Sequence, residues 1–429
     1  MSGRINRRTF LGQTSVTAAA TGLAFNAARA AEEPSNKVVI GVMGLSRGRS
    51  LATSFASQSG VEVKYLCDTD MKRAESAVKL FEGKDLAKPR AIQDFRRILD
   101  DKEVDVLVCA APNHWHAPST ILACSAGKHV YVEKPCCHNP QEGEWMVEAA
   151  RKNKRAVQMG SQRRSGPQTI EAMQKLHEGV IGRVYLVRAW YNSARGPIGI
   201  GKPADAPSSL NYDLWQGPAP RVPYVDNRIH YNWHWLWHWG NGELGNNGIH
   251  TLDLCRWGMN VDYPIRVSSS GGRFHFEDDQ QTPDTHTVSF EFEGRRAITW
   301  QGLSCNKHRN GTGFVTFYGD KGSLELDQDG GHRVYDGGDK RVEEVKGKSR
   351  GDIEHIANLI DAIRNDTPLE LNAEIEIGHK STLLCHLGNI SQRTGRSLNC
   401  TSKNGHIVGN EKAMAMWQRD YESGWEPKV

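Results

Sequence analysis

From about Lys37 to Gly160, short continuous apolar runs alternate with amphipathic stretches. The runs Val38 to Met43, Val61 to Cys67, Val104 to Ala110, Val130 to Val132 and Ala156 to Met159 predict strands, with helices between them such as Met71 to Phe81 and Asn139 to Asn153. A strand apolar at every position is buried on both faces, and strands separated by helices pair in parallel. This half, residues 37–160, therefore predicts a doubly wound parallel α/β sheet. Ligands of such sheets bind beyond the carboxyl ends of the strands.

Past residue 160 the pattern changes. Arg183 to Tyr191, Ile265 to Phe276, Thr285 to Phe292, Ala297 to Leu303, Gly313 to Tyr318 and Ser323 to Leu326 follow one another as strands without long helices between them. That predicts a second α/β domain, residues 161–429, built on a mainly antiparallel open sheet with one face free for an oligomer contact. Asp352 to Asn365 and Ala373 to Thr394 predict closing helices, with Asp352 and Asn372 as candidate caps.

Composition adds boundaries to this picture. The 429 residues suit about two domains, and 38% apolar with 24% charged residues is ordinary for a globular chain. A net charge of +4 implies no nucleic-acid surface. Residues 1–30 read as a targeting segment: Arg7 and Arg8 precede Phe10-Leu11, a weakly apolar stretch follows, and Ala28-Arg29-Ala30 suits a signal peptidase. The expectation is twin-arginine export to the periplasm or beyond, with no membrane association after cleavage. Nine cysteines, several inside apolar runs, argue for buried thiols rather than a disulfide framework. The vicinal pair Cys136-Cys137 has no assignment.

Candidate chemistry gathers at the strand ends. After the first strand, Gly44 can serve the tight turn of a dinucleotide loop, but Ser46 stands where G-x-G-x-x-G would have its second glycine and Gly48 follows Arg47. Asp68 ends the second strand about 20 residues on, where an acid binds the adenosine ribose. The lesser alternative is that it caps the helix that begins near Met71. A carboxylate there favours NAD over NADP, with Arg47, Arg49 and Arg73 keeping NADP open.

Another strand ends in Ala110 to Pro118, where Ala111, Pro112 and Asn113 let a loop lie flat against the cofactor and His114 and His116 add donors. His-x-His on a loop without an acid is a poor metal set, and no metal is expected. In His230 to Asp253, Trp233, Trp235, Trp237 and Trp239 alternate, sharing a face if extended. They serve either as platforms for sugar rings or as core anchors.

The stretches Ala111 to Pro135, ending in Glu133-Lys134-Pro135, Gly160 to Ser165, Gly179 to Tyr191 and Gly240 to Met259 resemble the Gfo/Idh/MocA oxidoreductases. The resemblance implies an N-terminal Rossmann domain, a tightly held nicotinamide cofactor, a carbohydrate or polyol substrate and a homo-oligomer. It implies that Lys134 is the catalytic lysine, that Glu133 positions the ribose or the loop, and that Pro135 fixes an unusual backbone turn, where a cis bond is cheap. His250 begins what resembles the family's catalytic helix, with Asp253 one turn on. The aspartate that many members carry four residues before the histidine is Asn246 here, which leaves His250 as the base. Gln162 and Arg163, with Arg164, are expected to line the cleft beside Trp235 and Asp253, one arginine being structural. Some relatives of this kind are glycosidases that oxidise a ring hydroxyl transiently, the alternative to net oxidation.

Overall fold

The computed structural model describes residues 37–83, 86–307 and 314–429. The targeting segment and its cleavage site, like Gly313 at the start of one expected strand, lie outside the described residues.

Six strands form the first sheet: β1 Val38–Met43, β2 Val61–Cys67, β3 Arg90–Ile92, β4 Val106–Cys109, β5 His129–Val132 and β6 Val157–Met159. Their order is β3-β2-β1-β4-β5-β6 and every pairing is parallel. The order reverses between β1 and β4, which opens a crevice at their carboxyl ends. Short β3 went unpredicted because Arg90-Ala91-Ile92 carries one buried residue.

Helices cover both faces. Gly48–Ala56 and Met71–Val78 pack on one side, where Asp352–Arg364 joins them by burying Ile356, Leu359 and Ile360 against the same core. On the other side, Asn113–Ser125 and Pro140–Asn153 share a core with the second sheet and with the helix Ile375–Thr394. Asn139 caps Pro140–Asn153 by accepting from the Glu142 amide.

The stretch expected as a loop at residues 110–118 turns helical at Asn113. Pro118 lies inside that helix and leaves the His114 carbonyl without its usual amide donor. Arg419 Nη2, from the far end of the chain, donates to that oxygen at 2.7 Å. Sequence could not show this donor, which comes from 305 residues away.

The caps also differ from expectation. Asp70, not Asp68, caps Met71–Val78 by accepting from Lys72. Asp352 is the first residue of its helix rather than the cap, and binds Arg47 at 2.9 Å. Glu374 caps the last long helix, while Asn372 donates to Ser165.

The second sheet runs β15-β14-β13-β12-β7-β10-β9-β8-β16-β17, with β11 beside β7. The strands are β7 Val184–Ala194, β8 Arg266–Gly272, β9 Thr285–Phe292, β10 Arg296–Leu303, β11 Cys305–Asn306, β12 Val315–Gly319, β13 Gly322–Leu326, β14 His332–Asp336, β15 Arg341–Val345, β16 Leu398–Cys400 and β17 Ile407–Val408. Only β7 and β10 pair in parallel; the other neighbours are antiparallel. Alternation in β9 buries His286, Val288, Phe290 and Phe292 and turns Thr287 and Glu291 outward. The helices Ile249–Met259 and Ile375–Thr394 lie on the buried face, and the first of them brings His250 to the site.

All nine cysteines are free, and all but Cys305 are buried. Cys136 and Cys137 hold their sulfurs 3.8 Å apart, Cys137 facing His386 and Cys136 facing Thr382. Among the described residues no helix is long and apolar enough to cross a membrane.

Candidate functional site

At the carboxyl ends of β1, β2, β4 and β5 lies a cleft of about 310 Å³. Its first wall is built from strand ends. Gly44 takes φ +86°, and a Cβ there would stand 2.5 Å from the Ala110 carbonyl oxygen, so only glycine lets the β1 turn close against β4. The helix Gly48–Ala56 begins just beyond and presents the amides that a helix start leaves without intrahelical partners. Gly48 itself packs against Val42 and does not line the cleft.

Asp68 lines the cleft and is held in place by three donors. Leu45 and Asp70 give backbone amides at 2.9 and 3.0 Å, and Arg73 Nε lies 3.2 Å away. A carboxylate has about four acceptor positions. One therefore remains for a ligand hydroxyl. Arg73 also donates to Ser46 Oγ at 2.7 Å, and Arg47 is drawn to Glu133 and Asp352.

Ala111, Pro112 and Asn113 line the cleft as expected from the sequence. His114 does not: its Nε2 lies 2.9 Å from the Trp215 carbonyl, in the core. His116 touches the cleft, but both ring nitrogens are taken up by backbone. Nδ1 lies 2.6 Å from the Pro135 carbonyl oxygen and Nε2 2.7 Å from that of Ala111. The imidazole thus braces the β4 loop against the β5 loop rather than offering donors to a ligand.

Lys134 and Pro135 are joined by a cis peptide bond. Lys134 Nζ donates to the Asn246 carbonyl at 2.6 Å and to Asn246 Oδ1 at 3.2 Å. Burial lowers its pKa, against the pull of Glu133 and Glu243. Glu133 accepts from Arg47 and from the Lys134 amide, so it positions the loop.

The second wall comes from residues 214–250. Asn246 lies in a π-helical turn, Leu244–Gly248, that runs directly into Ile249–Met259, and His250 faces the cleft from the first turn of that helix. Burial, with Lys134 nearby, pushes the pKa of its imidazole well below 6.5. Neutral His250 can accept a proton.

Four sequence candidates fall elsewhere. Asp253 is buried against Arg164, whose Nε reaches both carboxylate oxygens at 3.0 and 2.8 Å, and Ser381 donates to it at 2.6 Å. Arg164 is thus the structural arginine. Arg163 turns to the Gln328 carbonyl and stacks 4.7 Å from Phe314, while Gln162 stays in the cleft. Trp235 is in the core against Arg195, because Asn232–Trp235 forms a 3-10 turn that breaks the expected alternation. Trp233 lines the cleft instead, with His234 stacked 3.6 Å from it and held to a pKa of about 3 by burial.

Trp215, Tyr231 and His230 complete this wall. His230 reaches Asp70 at 3.1 Å and ties the wall to the β2 end. The aromatic run 230–239 signalled part of it; Trp215 had no sequence signal.

A strand-end cleft on a six-stranded parallel sheet, with a glycine turn after β1, an acid at the end of β2, and Lys134 and His250 both lining it, has the form of an NAD-binding Rossmann fold. The profile of the Gfo/Idh/MocA oxidoreductase family, NAD-binding Rossmann fold, matches residues 35–161, and that of its C-terminal alpha/beta domain matches residues 190–427. The chain belongs to the Gfo/Idh/MocA family.

It is similar to inositol 2-dehydrogenase of Salmonella typhimurium (strain LT2), 33% identical over 164 residues, 37% of this chain and 46% of that one. It is also similar to glycosyl hydrolase family 109 protein 1 of Shewanella sp. (strain MR-4), 27% identical over 159 residues, 36% of this chain and 35% of that one. The chain thus spans less than half the length of these curated relatives. Among solved structures, aldose-aldose oxidoreductase from Caulobacter crescentus shares the fold with TM-score 0.64 and 20% identity, covering 85% of this chain and 99% of that one. Levoglucosan dehydrogenase shares it with TM-score 0.65 and 18% identity, covering 85% and 99%.

Proposed function

We propose that this protein is an NAD-dependent oxidoreductase acting on a CH–OH group of a sugar or polyol. The observation that carries this reading is Lys134, whose ammonium spends two of its three donors on Asn246, at 2.6 and 3.2 Å, and keeps the third for the cleft. A substrate oxygen accepting that third hydrogen bond is stabilised as negative charge develops on it. Neutral His250 takes the hydroxyl proton as general base. NAD, when bound, supplies the two-electron acceptor. Asp68 and the Gly44 turn fit its ribose and pyrophosphate, and a carboxylate at Asp68 disfavours the extra phosphate of NADP. Trp233 and Gln162 close the substrate end with an apolar face and an amide. The likenesses agree with this class: one relative is an inositol dehydrogenase, and one fold neighbour was solved with NADH and levoglucosan.

A second reading is favoured by the glycosyl hydrolase family 109 likeness. There the same base and lysine would serve a transient oxidation, elimination of the leaving group, addition of water and return of the hydride to the oxidised carbon. Both readings carry export and homo-oligomer formation as further proposals, supported by Arg7-Arg8 and by an outer sheet face that exposes Tyr185. Cell fractionation and sizing of the purified chain test them.

The deciding experiment denatures the purified protein to identify released nucleotide, then offers native protein free sugars and aryl glycosides while reduced cofactor is followed by absorbance. Net reduction with a free sugar is the expected result. Aglycone release without net reduction moves the assignment to the glycosidase, and no nucleotide, even on titration, rejects both.

A further inference from the structure

Arg195 and Glu243 form an ion pair beyond Tyr231 and Asn246, and neither member of the pair lines the cleft. Glu243 is 3% exposed. A carboxylate buried so deeply is costly unless it is paired and hydrogen-bonded.

Both of its oxygens are used. Oε2 accepts from Arg195 Nε at 3.0 Å, and Oε1 accepts from Asn247 Nδ2. Arg195 is fixed in turn: its Nη1 and Nη2 donate to the hydroxyls of Tyr231 at 2.8 Å and Tyr191 at 3.0 Å, and its guanidinium lies 4.9 Å from the Trp235 ring. The carboxylate is thereby anchored to the residue that follows β7.

What the pair holds is the π-helical turn Leu244–Gly248, a rare geometry. Glu243 immediately precedes that turn and Asn247 lies within it, so the side-chain bond between them spans it. Between the two sits Asn246, whose carbonyl and Oδ1 receive Lys134 Nζ at 2.6 and 3.2 Å.

Charge bears on the same lysine. Asn246 offers it only neutral oxygens. The charged groups that face Lys134 are Glu133, Glu243, Arg47 and Arg195, while burial pushes the imidazoles of His116, His234 and His250 toward their neutral forms. Each acid is paired with an arginine, Glu133 with Arg47 and Glu243 with Arg195, so an ion pair from each wall flanks the ammonium. Burial raises the pKa of Glu243 from 4.5, and Arg195 and Asn247 hold it down.

We propose that Glu243 is a positioning residue: its carboxylate stitches the turn that presents Asn246 to Lys134, and its charge holds the Lys134 ammonium ready for a substrate oxygen. This rests on the oxidoreductase reading, in which that ammonium stabilises the developing alkoxide.

The test reads Lys134 directly, in the full protein with NAD bound. The rate at which acetic anhydride labels Lys134, followed by peptide mass spectrometry as pH is raised, has its midpoint where the ammonium loses its proton. Glu243→Gln keeps the length of the side chain and removes its charge, and the midpoint is expected to fall by about one pH unit. Arg195→Gln breaks the same ion pair from the other side and is expected to raise it, because a like charge is removed. Loss of local structure alone does not move two such variants in opposite directions. A midpoint that stays where it is, or moves the same way in both, overturns the proposal; if only one variant folds, the sign of its shift decides. The alkaline limb of kcat/KM should follow the labelling midpoint in each variant. Labelling that moves as expected while the limb stays fixed leaves Glu243 as the positioning residue of Lys134 and sinks the oxidoreductase reading instead.

Discussion

The two walls of the cleft are built by different means. The first wall is made by strand ends and backbone: Gly44, Asp68, Ala111 to Asn113, and the cis-linked Lys134-Pro135, all within a turn of a parallel strand. The second is made by side chains from residues 214–250, held by a π-helical turn, a 3-10 turn and stacked rings. A backbone-built wall grips what every dinucleotide shares, whereas a side-chain wall can change with the substrate. Under the proposed function, the difference gives cofactor retention to one wall and substrate choice to the other. Lys134 and His250, one from each wall, line the same cleft, and in the proposed reaction they act on the same hydroxyl.

The largest effect should come from breaking that joint action. Lys134→Met keeps the stem but removes the ammonium, and should lower kcat by about 10³-fold or more while the purified protein still binds NAD. His250→Asn should cost about 10²-fold in kcat, the size of a lost general base. If the two losses multiply in the double variant, the groups act independently. If the double variant is no worse than Lys134→Met, they act as one unit.

The contrast between the walls also decides what the sequence could show. β1 and β2 were legible to the residue, β1 as an unbroken apolar run and β2 as the alternation of Val61, Val63 and Tyr65 that ends in buried Leu66 and Cys67. Strands β14 to β17 were not, because they are short and half-exposed. Lys134, Asp68 and His250 were legible by position within local motifs. Roles that depend on distant partners were hidden: His116 spends its nitrogens on carbonyls of Ala111 and Pro135, and Asp253 is claimed by Arg164 and Ser381. The tryptophan alternation misled for a related reason. A 3-10 turn at Asn232–Trp235 rotates Trp235 into the core and leaves Trp233 at the cleft.

Two smaller effects should separate the walls. Gly44→Ala forces a side chain to φ +86° and into the Ala110 carbonyl, so the turn must shift. NAD should bind about ten-fold more weakly, measured by titration, since a left-handed conformation costs a non-glycine residue about 1–2 kcal/mol. Trp233→Leu should instead raise the sugar KM by about ten-fold and leave the NAD Kd unchanged. A variant of either wall that moves both constants equally would remove the division of labour.

The smallest expected change is a shift in a pH profile, and it probes the contact between the walls. In the proposed reaction Lys134 acts as an ammonium, so kcat/KM is lost as pH rises through its pKa, which burial places below 10.5. His250 acts as a neutral base, so the acid limb lies below pH 6.5, where protonation finally overcomes burial. Asn246→Asp puts a carboxylate where Asn246 Oδ1 now lies, 3.2 Å from Lys134 Nζ. An opposite charge at that range favours the ammonium and should raise the alkaline limb by about one pH unit. The carboxylate also disfavours a developing alkoxide, so the plateau of kcat should fall even as the profile widens. A profile that moves on its acid side instead would mean that Asn246 acts through His250, and that the lysine contact joins the two walls without tuning them.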